Sequence, residues 1–241
     1  MEFLYAAELK KRFTCYGHFY ELAFMNGEMA KCRSVLEVVD SSISQEDPSA
    51  IALMIPDVVV IMMNPGSSRP KVAGHVDEVL EYPNARNPMK KKLVLTQPDN
   101  TQYQVMRVAV SQGWKHIRVL NLSDLRDPKS VNFLQQVSVL SGMMDGHVHR
   151  LFCAERAEEC ARSLKRKTPT PLLLGWGQDL GLLPMVEPCL EKISGEPTCT
   201  VASEVHPKLN AHPSPMLQKK KMLWLETIID QLNESSAKSM G

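Results

Sequence analysis

From residue 57 onward, short unbroken apolar runs alternate with longer stretches whose apolar positions recur at helical spacing. Val58-Val59-Val60-Ile61-Met62-Met63 is rich in β-branched residues and closes on Asn64-Pro65-Gly66-Ser67-Ser68, which reads as a buried strand ending in a turn. Ile117-Arg118-Val119-Leu120 runs into Asn121-Leu122-Ser123-Asp124, and Pro171-Leu172-Leu173-Leu174 runs into Gly175-Trp176-Gly177. Cys199-Thr200-Val201-Ala202 is a fourth strand candidate, ahead of a Pro-rich stretch over 206–215. Helical spacing fills 101–112, 131–140, 154–165 and 180–193, and a closing amphipathic helix is predicted over 216–232 from Met222, Leu223, Leu225, Ile228, Ile229 and Leu232.

Strands separated by helices of this length imply parallel pairing through right-handed crossovers, because a tight turn cannot connect parallel neighbours. The expected fold is α/β, a three-layer α/β/α sandwich with a central, mainly parallel sheet of four strands. Residues 1–241 are expected to form one domain, with 57–232 as its core and 1–50 as an N-terminal elaboration. Residues 41–49 read as a polar linker, and 234–241 as a fraying tail. Ligands of such sheets bind beyond the carboxyl ends of the strands. That rule directs attention to Asn64-Pro65-Gly66, Asn121, Trp176 and the surroundings of His212.

Composition changes the picture in four ways. With 241 residues, 44% of them apolar, one substantial core can be buried. No run approaches the roughly 18 apolar residues of a membrane helix, and Met1-Glu2-Phe3-Leu4 does not open like a signal peptide; a cytoplasmic protein without membrane contact is expected. Cysteines at 15, 32, 153, 160, 189 and 199 form no C-x-x-C pair, so neither a metal nor another cofactor is implied and structural thiols are expected. The net charge of +1 is low for a nucleic-acid binder. Phosphate affinity would have to come from Lys90-Lys91-Lys92, residues 162–167 or Lys219-Lys220-Lys221, each of which also reads as solvated surface.

The four strand ends together resemble the uracil-DNA glycosylase superfamily. Met63-Asn64-Pro65-Gly66 is similar to the motif after the family's first strand in its single-strand-selective and thymine/mismatch branches. Val119-Leu120-Asn121-Leu122 resembles the second-strand segment, Leu172 to Gly177 the third strand, and His212-Pro213-Ser214-Pro215-Met216 the His-Pro-Ser-Pro-Leu motif after the fourth. The likeness covers roughly residues 57–230, whereas 1–50 and 67–100 find no counterpart.

This resemblance implies a DNA glycosylase, acting as a monomer, that flips out a pyrimidine nucleotide and hydrolyses its N-glycosidic bond. Asn121 would read the pyrimidine edge, either amide orientation being open, although an Asn tying a turn to the backbone has the same look. His212 would donate to the pyrimidine O2, where leaving-group charge develops; His206-Pro207 is a look-alike expected to be inert. Asn64 stands where other branches hold an Asp, so it could orient water but not act as base. Gly66 replaces a bulky Tyr that presses on C5, which would leave the pocket floor open, unless Gly serves only a turn with positive φ. Tyr82 is the candidate for stacking on the base, or else a surface tyrosine.

Ser67 and Ser214 would contact phosphate, Met216 would fill the gap in the base stack or else pack the closing helix, and Lys219 and Lys220 would grip the strand. A C5-modified base, such as glucosylated hydroxymethylcytosine in phage DNA, is slightly favoured over uracil as substrate. The alternatives are uracil or mismatch repair, and a catalytically idle nucleic-acid-binding module on the same fold. A phosphate turn of nucleotide-binding type at residues 64–68 lacks its glycine signatures.

Overall fold

A computed structural model of the chain describes residues 3–43, 48–81 and 92–239. Helix α1 (Ala6–Arg12) leads into β1 (Phe13–Ala23) and β2 (Met29–Asp40), an antiparallel hairpin closed at Asn26-Gly27, where Gly27 takes φ 86°. A short α2 (Pro48–Ile51) precedes β3 (Val58–Met62), followed by β4 (Arg69–Pro70), β5 (Glu78–Glu81) and β6 (Val94–Gln97). Then come α3 (Asn100–Gln112), β7 (His116–Asn121), α4 (Ser130–Leu140), α5 (Ala157–Ser163), β8 (Leu172–Gly175), α6 (Leu183–Lys192), β9 (Thr198–Thr200) and α7 (Gln218–Ser239).

The boundaries have local causes. Asp99 caps α3: its Oδ1 accepts from the Thr101 and Gln102 N–H groups, and Gln102 returns a bond to the Asp99 N–H. Gly113 ends that helix in the left-handed conformation, φ 68°. The helix expected over 154–165 is split into a 3₁₀ turn and the shorter α5. The closing helix begins two residues later than 216 and continues to Ser239, through the stretch expected to fray.

The sheet is mixed and has nine strands among the described residues, in the order β4-β6-β1-β2-β7-β3-β8-β9, with β5 beside β1. This corrects the expectation of a central, mainly parallel sheet of four strands. Parallel pairing links β7 to β3, β3 to β8 and β8 to β9. Beyond β7 the sheet continues antiparallel through β2, β1 and β6. Residues 13–40 are therefore internal to the sheet rather than an elaboration of it, and part of the 67–100 segment supplies β4, β5 and β6 at its far side.

Alternation along β3 sends Val59 and Ile61 to one face and Val58, Val60 and Met62 to the other, all fully or nearly fully buried. The first face packs against Phe133 and Val137 of α4, Cys160 of α5 and Val186 of α6. The second packs against Leu9 of α1, Val105 and Ala109 of α3, and Trp224 and Ile228 of α7. At roughly 25 cal/mol per Å², each large side chain enclosed this way contributes on the order of 1.5–3 kcal/mol. Such burial fixes the strand ends firmly enough to carry a site. Among the described residues no helix is long and apolar enough to cross a membrane.

Candidate active site

The register of the parallel strands decides which residues meet. Met62 is paired with Asn121 on one side and with Gly175 on the other, so β3, β7 and β8 end side by side at one rim. Asn64 follows β3 by two residues. The His212 segment is held over β8 by several contacts. Asn210 Oδ1 accepts from the Trp176 and Gly177 N–H groups at 2.8 and 3.4 Å, and the Ala211 N–H donates to Val201 O at 2.8 Å. A Cβ on Gly175 would lie 2.8 Å from Pro213 Cδ, so only glycine lets that proline rest on the strand. From the helical side Gln104 Nε2 donates to Pro213 O at 3.2 Å.

The two asparagines behave differently. Asn64 Nδ2 donates to Asp127 O at 2.8 Å and Leu125 O at 3.3 Å, which uses both amide protons to tie down the loop after β7. Only its Oδ1 is left, as an acceptor. Asn121 is completely buried, and neither its Nδ2 nor its Oδ1 has a partner among the described residues. Tying a turn to the backbone is thus the work of Asn64, not of Asn121. An unpartnered buried amide costs on the order of 1–3 kcal/mol, so the Asn121 amide sits there at a cost to stability.

His212 is partly buried, and its Nδ1 accepts from the Ser214 backbone N–H at 3.1 Å. That bond fixes the neutral tautomer with the proton on Nε2, leaving Nε2–H free to donate. Burial pushes the imidazole below its usual 6.5, against the pull of the Asp99 carboxylate. His206 accepts a similar bond from the Lys208 N–H at 3.2 Å, but it belongs to a turn that closes back on Leu209.

Asp99 is the functional candidate that sequence reasoning missed. Its capping role uses Oδ1. Its Oδ2 lies 3.4 Å from Ser67 Oγ and 3.4 Å from where a Gly66 Cβ would stand. Gly66 has φ 64°, so the turn itself calls for glycine, and its missing side chain faces a carboxylate rather than an open floor. The Asp-x-x-Gln pattern at 99–102 announced a helix cap, and nothing in it announced the neighbours that the fold supplies.

Ser67 is exposed and Ser214 partly so. Met216 is 98% exposed, which excludes packing of α7 as its role, and Lys219 and Lys220 are exposed on the first turn of that helix. The basic stretch 162–167 sits at the other rim: Lys167 bonds Asp57 at 2.6 Å just before β3, and Arg166 bonds Glu196 at 2.7 Å. Lys92 is exposed, whereas Lys90, Lys91 and Tyr82 lie outside the described residues. Six cysteines are free, and no group of three or more metal-ligating side chains occurs among the described residues.

No family model, curated protein or solved structure matches this chain.

Proposed function

We propose that the chain is a DNA glycosylase of uracil-DNA glycosylase type, built around the parallel strands β7, β3, β8 and β9, that removes a pyrimidine base and leaves an abasic site. The observation that carries this reading is the pair of Asn121, buried with a wholly unpartnered amide, and His212, locked as an Nε2–H donor at the same rim. A flipped pyrimidine offers complementary partners to both: its Watson–Crick edge to the amide and its O2 to the imidazole.

In this reading water attacks C1′ as the C1′–N1 bond breaks, and the bonding pair leaves with the base. His212 Nε2–H stabilises the charge that reaches O2. Asn64 Oδ1 accepts one hydrogen bond from the water, and the Asp99 carboxylate takes its proton, supplying the base that Asn64 cannot be. The departing pyrimidine anion then takes up a proton. Because the Asn121 amide is shut off from solvent, base entry requires the rim to open. Met216 fills the vacated stack, with Lys219 and Lys220 on the backbone.

The test incubates the protein with oligonucleotides carrying uracil, thymine mismatches, or hydroxymethylated or glucosylated cytosine, and scores alkali-labile sites. Excision from at least one is expected. His212→Ala and Asp99→Asn should each lower its rate by about 10² to 10³ with DNA affinity retained. A second reading, an idle binding module, draws on the net charge of +1 and the enclosed amide. Tight DNA binding without excision of any base would favour it.

A further inference from the structure

Beside Asn121 the sheet holds a second buried group without a partner. Arg33 on β2 is 1% exposed, and neither its Nε nor its Nη1 has a hydrogen-bond partner among the described residues. Its backbone N–H reaches Asp124 O at 2.8 Å, three residues past Asn121, and its cross-strand partner on β1 is Phe19. By alternation with Cys15 on β1, and of Asn121 with Ile117 and Val119 on β7, these side chains share the face covered by α3 and α7. Arg126 lies over the Phe19 ring, 4.8 Å from its centroid, donates from Nη2 to Ser68 O at 3.0 Å and has Nη1 3.7 Å from Asp77 Oδ2; its Nε has no partner among the described residues. The Ser68 hydroxyl, 1% exposed, is unpartnered too.

Three neighbouring residues of the site thus present buried donors with nothing to receive them. Burial lowers Arg33 to about 10, with Asp99 pulling the other way and Arg126 adding to the lowering, so the guanidinium is charged at neutral pH. An enclosed charge without a hydrogen-bonded counterion is among the costlier things a fold can hold. A buried guanidinium with free donors at Nε and Nη1, one on each of two edges, favours an anion whose oxygens can accept from them, a carboxylate or phosphate.

We infer that Arg33, assisted by Arg126 and Ser68, is an oxyanion subsite contiguous with Asn121, so that the ligand carries a carboxylate or phosphate next to the ring whose edge Asn121 reads. The oxyanion has two possible sources: an acidic substituent on the base, or the phosphate of the nucleotide itself. This deepens the glycosylase reading and rests on its placement of the base, but the subsite can be tested without catalysis.

Calorimetric titration of the full chain with uracil, 5-carboxyuracil and deoxyuridine monophosphate separates the cases. At least one anionic ligand should bind ten times or more tighter than uracil. A preference for 5-carboxyuracil alone identifies a base carboxylate, and a preference for the nucleotide alone identifies its phosphate. Arg33→Met should erase the preference without weakening uracil binding, and should raise the melting temperature of the ligand-free chain by removing the uncompensated charge. Arg33→Lys, which keeps a charge, serves if the Met variant does not fold, and should lose most of the preference. Anionic ligands binding no better than uracil, or a preference that survives both substitutions, would overturn the subsite. An Arg33-dependent preference in a protein that cuts no DNA would leave the subsite standing and remove the glycosylase reading alone.

Discussion

The two ends of the β2–β7 pair hold buried polar groups of the same kinds in opposite states. At one end Glu37 accepts from Arg118 Nε at 2.7 Å and bonds His116 Nε2 at 2.9 Å, while Arg118 Nη2 donates to Ala52 O and Met54 O. At the other end Arg33 and Asn121 are at least as deeply buried, and the polar atoms noted above have no partners. The same two strands therefore carry a satisfied guanidinium and an unsatisfied one. The first end is anchored by its own bonds, with His116 Nδ1 its one buried side-chain atom lacking a partner among the described residues, and reads as structure. The unsatisfied end is stable only because the apolar contacts around it over-determine its position, and such an arrangement is expected where a ligand completes the bonding.

Substitutions should treat the two ends differently. The largest effect is expected at Glu37: Glu37→Ala leaves Arg118 and His116 buried without their acceptor and should cost about 3–5 kcal/mol in chemical denaturation, whereas Arg33→Met should cost nothing. Equal losses at both ends would erase the distinction. Next in size, Gly66→Ala at the site end should cost about 1–2 kcal/mol, because the chain must hold a Cβ at positive φ; the new methyl meets Asp99 Oδ2 only at ordinary contact distance, 3.4 Å. A loss below a few tenths would show that this turn relaxes freely.

The smallest effect is in the pH profile. In the proposed reaction His212 acts neutral, and burial holds it below 6.5. Excision should stay level as pH falls to that value, then decline as Nδ1 takes a proton and loses the Ser214 N–H. A decline that starts above pH 6.5 would remove His212 as the neutral donor.

What the sequence made legible follows the same division. Unbroken runs such as Val58 to Met63 announced the parallel strands, because a strand buried on both faces needs apolar residues at every position. Asn64, Asn121 and His212 were visible because each directly follows or closes such a run or sits in a motif. The hairpin of β1 and β2 was not, since Thr14, His18, Glu21, Arg33, Ser34 and Glu37 interrupt its apolar pattern. A bulge between His18 and Phe19 also shifts its register. Asn26-Gly27 was the one local signal of its turn. Arg33 and Asp99 become candidates only through tertiary register: one is a strand arginine and the other a helix cap until β2 pairs with β7 and the Gly66 loop meets α3.

The central claim is that the Asn121 amide is reserved for a pyrimidine. Its most direct test is the side-chain amide resonance of Asn121 in ¹⁵N-labelled protein, assigned with Asn121→Asp and titrated with a single-stranded oligonucleotide carrying one 2′-fluorinated deoxyuridine that resists cleavage. The two amide protons, without partners among the described residues, are expected to move downfield and become protected from exchange, while those of Asn64 keep their bonds to Asp127 and Leu125. Saturated binding with the Asn121 resonances unmoved would contradict it.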